Sequence, residues 1–213
     1  MVAKGARKSG SRLAGVSDPL SVAKLSLASG KRNAYITQSQ PITSFPGLRT
    51  DYDRLSCALC LLELYSAVIP YEQEDPDAFE SLMHSLAVLE VHAKPAVALV
   101  WSELVLMQAE GFLPQFAESA ISGTPLGEAQ AFVSPSAGGY LTPEEASNYP
   151  DRFLASAEVL LGLSKTALLP EPPANLKFAE EALVTLLSFW RHVAEAPLPA
   201  TESVTKEFRY RNA

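Results

Sequence analysis

One change of period divides this chain and limits what it can fold into. Before about residue 46, the runs "LSVAKLSL" (20–27) and "AYITQSQ" (34–40) carry β-favouring residues such as Tyr35 and Thr37 and flank "ASGKRN". The Gly and Asn of that connection predict a hairpin, with Lys31 and Arg32 at its tip. "PITSFPGLRTDYDR" then breaks the pattern with Pro41, Pro46 and Gly47, and Thr50 or Asp51 is placed to cap a helix. Beyond this point apolar residues recur at helical spacing. Helices are predicted near 51–69, 76–93 (Pro76 in its first turn), 95–110, 150–163 and 176–195. Phe79, Leu82, Met83, Leu86 and Leu89 form the core-facing stripe of the second, and Phe178, Leu183, Leu186, Leu187 and Trp190 that of the fifth. The fold class is α+β, mostly helical.

Residues 112–149 interrupt the helices and are too long for an ordinary bundle connection. Within them "FVSPSAGGYLT" predicts two short strands around Gly138–Gly139, the shape of a ribbon. Glu144 and Glu145 after Pro143 suit the first turn of a helix.

Charge divides the chain at nearly the same place. Residues 1–54 hold nine Lys/Arg against three acids, a balance of +6, while the remaining 159 hold eight cations and 21 acids, a balance of −13. The total of −7 hides this asymmetry, which points to a first module with a polyanionic partner and a second, acidic scaffold. The cations concentrate in "VAKGARKSGSRLAG" (2–15), where Lys4, Arg7, Lys8 and Arg12 stand among three glycines and two serines with no acid before Asp18. Polyanion binding is one reading of this segment. A transit peptide, lost in maturation before about Ala34, is the rival, and the two strand-like runs that follow weigh against it.

No apolar stretch approaches the ~20 residues of a membrane span, and no charged segment followed by an apolar one opens the chain, so a soluble cytoplasmic protein is expected. Cys57 and Cys60 form a CxxC by letters, yet they lie one turn apart in a helical pattern with no second CxxC, which reads as two buried structural thiols. His84, His92 and His192 read as solvent-facing or capping residues. No Ser/His/Asp arrangement and no GxxxxGK[ST] loop stands out, so neither hydrolysis nor ATP turnover is expected. The closing "KEFRYRN", with Lys206, Arg209 and Arg211, reads either as an extra anion-binding patch or as a frayed tail.

Taken in order, "VAKGARKSGSRLAG", the hairpin, "FPGLRTDYDRLSCALCLLEL", "SPSAGGYLT" and "KEFRYR" resemble the RecO family of bacterial recombination mediators and DNA repair proteins over essentially the whole chain. The resemblance implies an N-terminal OB-fold (residues 1–46) and a helical domain (47–213) carrying a ribbon-like insertion at about 112–149. Many members hold that ribbon with four zinc cysteines. Here Ser119, Ser122, Thr142 and Glu145 stand at those positions, a poor set for Zn²⁺, so neither metal nor any other cofactor is expected. Members also have two strands ahead of the "AKGARK" loop, so the OB-fold is expected to be partial, from a misassigned start codon or a damaged module.

An OB surface holds single strands through cations on phosphates and aromatic faces under bases. The residues expected to do so are Lys4, Arg7, Lys8, Arg12, Lys24, Lys31, Arg32 and Tyr35. With one aromatic among seven cations, binding should be phosphate-dominated, sequence-independent and salt-sensitive. The resemblance further implies single- and double-stranded DNA, RecR and single-strand-binding protein as partners. It also implies strand annealing, RecA loading, a monomer and a nucleoid-associated cytoplasmic location. A protein-interaction scaffold with a non-functional DNA-binding module is the alternative.

Overall fold

Residues 20–30, 33–70, 74–127 and 130–211 are described by the computed structural model. They fall into two units divided between Thr50 and Asp51. In the first, β1 (Ser21–Ser29) and β2 (Ala34–Ser44) form an antiparallel hairpin. Gly30 N–H closes the turn on the Asn33 carbonyl at 3.0 Å. A Cβ at Gly30 would strike the Tyr35 ring and the Asn33 oxygen, so the hairpin requires glycine there.

The second unit is built around α3 (Pro95–Ala109), which packs against α1 (Tyr52–Val68), α2 (Pro76–Val91), α5 (Ala157–Ala167) and α6 (Ala179–Val193). Its sequence PAVALVWSELVLMQA is apolar on nearly every side, and eleven of its residues are buried, as a helix surrounded by others must be. Local chemistry sets the helix starts. Asp51 accepts the Arg54 N–H at 2.9 Å, and Asp75, ahead of Pro76, accepts the Ala78 N–H at 2.8 Å. Cys57 and Cys60 are buried on α1 as expected, with burial pushing both thiols well above their ordinary range.

The segment after α3 forms a three-stranded sheet of order β4–β3–β5, made of β3 (Gln130–Ser134), β4 (Gly139–Leu141) and β5 (Phe153–Ser156), with α4 (Pro143–Ala146) between the last two. Phe116, Val133, Tyr140 and Leu141 are buried in it. Gly139 lies where a Cβ would collide with the Gln115 backbone, which pairs with it. The last helix, α7 (Pro199–Arg211), packs on α1 and α6.

Three expectations need correcting. The stretch predicted as a helix from 150 is a turn and then β5, and α5 begins only at Ala157, where Ser156 caps it by accepting the Glu158 N–H. Phe79 is 52% exposed: Leu86 and Leu89 of the predicted stripe are buried, but α2 turns Ala78 and Ser85 inward with them rather than Phe79. The closing segment is helical as far as Arg211 rather than frayed, with Tyr52 Oη donating to Glu207 at 2.8 Å; earlier in α7 Thr201, Val204 and Thr205 are buried, and Glu63 on α1 accepts from Ala200 N, Thr201 N and Thr201 Oγ1 at 2.9, 2.8 and 2.7 Å.

Candidate nucleic-acid interface

Of the eight residues expected to hold nucleic acid, Lys24 and Tyr35 are described; Lys4, Arg7, Lys8, Arg12, Lys31 and Arg32 lie outside the described residues. The hairpin's register decides what Lys24 and Tyr35 can do together. Lys24 pairs with Gln40, Ser26 with Gln38, and Ala28 with Tyr35. Strand β1 runs without interruption, so Lys24, Ser26 and Ala28 share one face. Strand β2 takes up two extra residues: Thr37 between the partners of Ser26 and Leu27, and Ile42 between those of Val22 and Ala23. The Thr37 hydroxyl donates to the Ser26 carbonyl at 3.1 Å, fixing the first bulge.

The bulge moves Tyr35 onto the face of Lys24 together with Gln38 and Gln40. Without it, simple alternation from Gln40 would put Tyr35 on the other face, beside Leu25 and Leu27. The result is a face with a cation, an aromatic ring and two amides, backed by an apolar face of Leu25, Leu27, Ile36 and Pro41. Lys24 is exposed and Tyr35 half-buried, its ring beside Gly30. Gln38 and Gln40 were not singled out from the sequence; period-2 alternation would have found them only with the bulge already placed.

In the second unit Lys206 stands 5.9 Å from the exposed Tyr210 ring on α7, but several other described cations are engaged. Lys177 is paired with Glu158 at 3.1 Å and Arg191 with Glu202 at 2.8 Å, while Lys94 donates to Asn175 at 2.6 Å. A groove of about 380 Å³ lies among Phe153, Val159, Val184 and Arg209, but Glu180 and Glu181 also line it and set its charge against an anionic ligand. His92 accepts the Lys94 N–H at the end of α2, and His84 stands 3.5 Å from Glu171. These are the capping and surface roles expected of them.

The fold and the face define a class: a mostly helical α+β protein in which a basic β-hairpin precedes an acidic helical unit with a small sheet inserted. The sequence model described as "Recombination protein O C terminal" matches residues 49–202. The chain belongs to the RecO family. It is 39% identical over 144 residues to the DNA repair protein RecO of Roseiflexus sp. (strain RS-1), covering 68% of this chain and 51% of that one. With the protein of the same name from Dehalococcoides mccartyi (strain CBDB1) it shares 32% over 141 residues, covering 66% and 56%. The corresponding Nocardioides sp. protein is 30% identical over 197 residues, covering 88% of this chain, and so reaching into the hairpin unit, and 80% of its own length. The chain thus spans about half the length of the first two relatives. Among the described residues no helix is long and apolar enough to cross a membrane.

Proposed function

We propose that this protein is a DNA-binding recombination mediator in DNA repair. In this reading the hairpin is part of an OB-type module that binds single- and double-stranded DNA without sequence preference and anneals complementary strands. It does so on strands coated with single-strand-binding protein, and with RecR it helps load the RecA recombinase. It acts as a non-enzymatic monomer in the bacterial cytoplasm, at the nucleoid, without a cofactor. The observation that carries the reading is the hairpin face: Lys24 and Tyr35, with Gln38 and Gln40, lie together in the unit that holds the chain's excess of cations. Cations alone would serve any polyanion; a ring on the same face adds a surface on which bases stack. The relatives' shared name, DNA repair protein, supports the same assignment.

Shielding phosphates lowers the repulsion between two strands while leaving base edges free, which is what annealing needs. The test is fluorescence anisotropy of a labelled single strand of about 30 nucleotides, titrated with the 213-residue chain at several salt concentrations, beside a Lys4→Ala/Arg7→Ala/Lys8→Ala variant. Binding should weaken steeply with salt, and the variant should flatten the slope. A second reading rests on the family match, whose residues 49–202 include almost none of the hairpin unit. By that reading the helical unit is a protein-binding scaffold. Absence of DNA binding at low salt, with the helical circular dichroism intact, would put the scaffold first.

A further inference from the structure

The four residues that stand at the family's zinc-cysteine positions come together in the folded chain. Ser119, 3% exposed, donates its hydroxyl to Glu145 Oε2 at 2.6 Å and accepts the N–H groups of Ile121 and Ser122, each at 3.1 Å. Gly123, at φ +70°, completes this turn. From the other side Thr142 N–H donates to the same Glu145 Oε2 at 2.9 Å, and Thr142 Oγ1 accepts the Glu145 N–H at 3.4 Å. Hydrogen bonds from Ser119, Ser122 and Thr142 hold the Glu145 carboxyl down at about 2. Residues 119–122 and 142–145 are therefore joined through one carboxylate.

This donor set does not fit zinc. Three of its members are neutral hydroxyls, and one carboxylate oxygen of the fourth is already engaged by an O–H and an N–H. No group of three or more His, Cys, Asp or Glu among the described residues could hold a metal ion. We propose that the Glu145 carboxylate replaces a metal as the link between the 119–122 turn and the start of α4, making the ribbon a metal-independent clasp. The same device recurs at the β3–β4 turn. There the Asp151 carboxylate accepts from Ser134 Oγ at 2.7 Å and from Ser136 N and Oγ, both at 2.8 Å. A carboxylate thus organises each end of the ribbon, and a charged acceptor makes these bonds stronger than neutral ones. The apolar residues beneath supply burial, and the two clasps fix the loops above it.

Hydrogen exchange on the full chain tests this, because it reads the opening of one segment separately from global unfolding. The informative amides are Ser119, Ala120 and Gly123, bonded to the Thr124, Tyr140 and Ser119 carbonyls. In the wild-type protein their protection should be unchanged by a strong chelator, and elemental analysis should find no stoichiometric zinc. Glu145→Ala should speed their exchange tenfold or more while α3 and α6 keep theirs, and Glu144→Ala should change nothing. Should Glu145→Ala not fold, Ser119→Ala is read at the same amides, with a smaller effect of the same sign expected. One zinc per chain, chelator-induced loss of protection, or a folded Glu145→Ala that exchanges like wild type would each overturn the proposal.

Discussion

Glu103 sits at the centre of α3 with 1% of its surface exposed, and its environment decides its charge. Burial pushes its carboxyl from the ordinary 4.5 up to about 8, against a smaller downward pull from the Trp190 indole N–H, which donates to Oε2 at 2.8 Å. At neutral pH the group is therefore an uncharged acid. Between the two values the native state keeps a proton that the unfolded chain has released. Stability must then fall as pH rises through that window, by up to about 1.4 kcal/mol per pH unit, and level off above it. Glu103→Gln keeps an oxygen for Trp190 and cannot ionise. Its melting temperature should be nearly flat from pH 5 to 8 where that of the wild type declines, with the gap widest at the alkaline end. Parallel curves for the two proteins would show that Glu103 is not the group responsible.

At the scale of elements, what was readable from the sequence had a local cause. The starts of α1 and α2 follow from Asp51 and from Asp75–Pro76, whose chemistry acts within three residues. The β3–β4 turn follows from Gly138–Gly139. What escaped had a distant cause. The run Phe153–Leu154–Ala155–Ser156 suits strand or helix equally until β3 pairs with it. In α7 the buried residues are mostly small or hydroxylic, so no apolar stripe announces the helix, and its first turn is fixed by Glu63, more than 130 residues earlier. Glu63→Ala leaves three donors without their carboxylate. At roughly 1.5–3 kcal/mol for a hydrogen bond to a charged group, and with water replacing part of the loss, a drop of about 2–4 kcal/mol in unfolding free energy is expected. Amide exchange should accelerate first in α7. A urea midpoint within experimental error of wild type would mean that packing against α1 and α6 alone holds the helix.

For the whole molecule, the division of charge was legible as soon as the residues were counted, and it placed the candidate site in the basic part. The composition of the site was only half legible. Lys24 and Tyr35 could be named, but their sharing a face depends on the bulge at Thr37, a register event that no residue type signals. That shared face makes a prediction in which two changes have different signatures. Lys24 should act through a phosphate: Lys24→Ala should weaken single-strand binding at low salt and reduce the slope of log K against log [salt] by about 1. Tyr35 should act through a base: Tyr35→Ala should cost about 1–3 kcal/mol at every salt concentration and leave the slope alone. Because the two groups lie on one face but would meet different parts of a bound strand, the double variant should combine a lowered slope with a lowered intercept. If Tyr35→Ala alone flattens the salt dependence, the ring is supporting the hairpin turn at Gly30 and its neighbouring cations, and base stacking is no part of how this face binds.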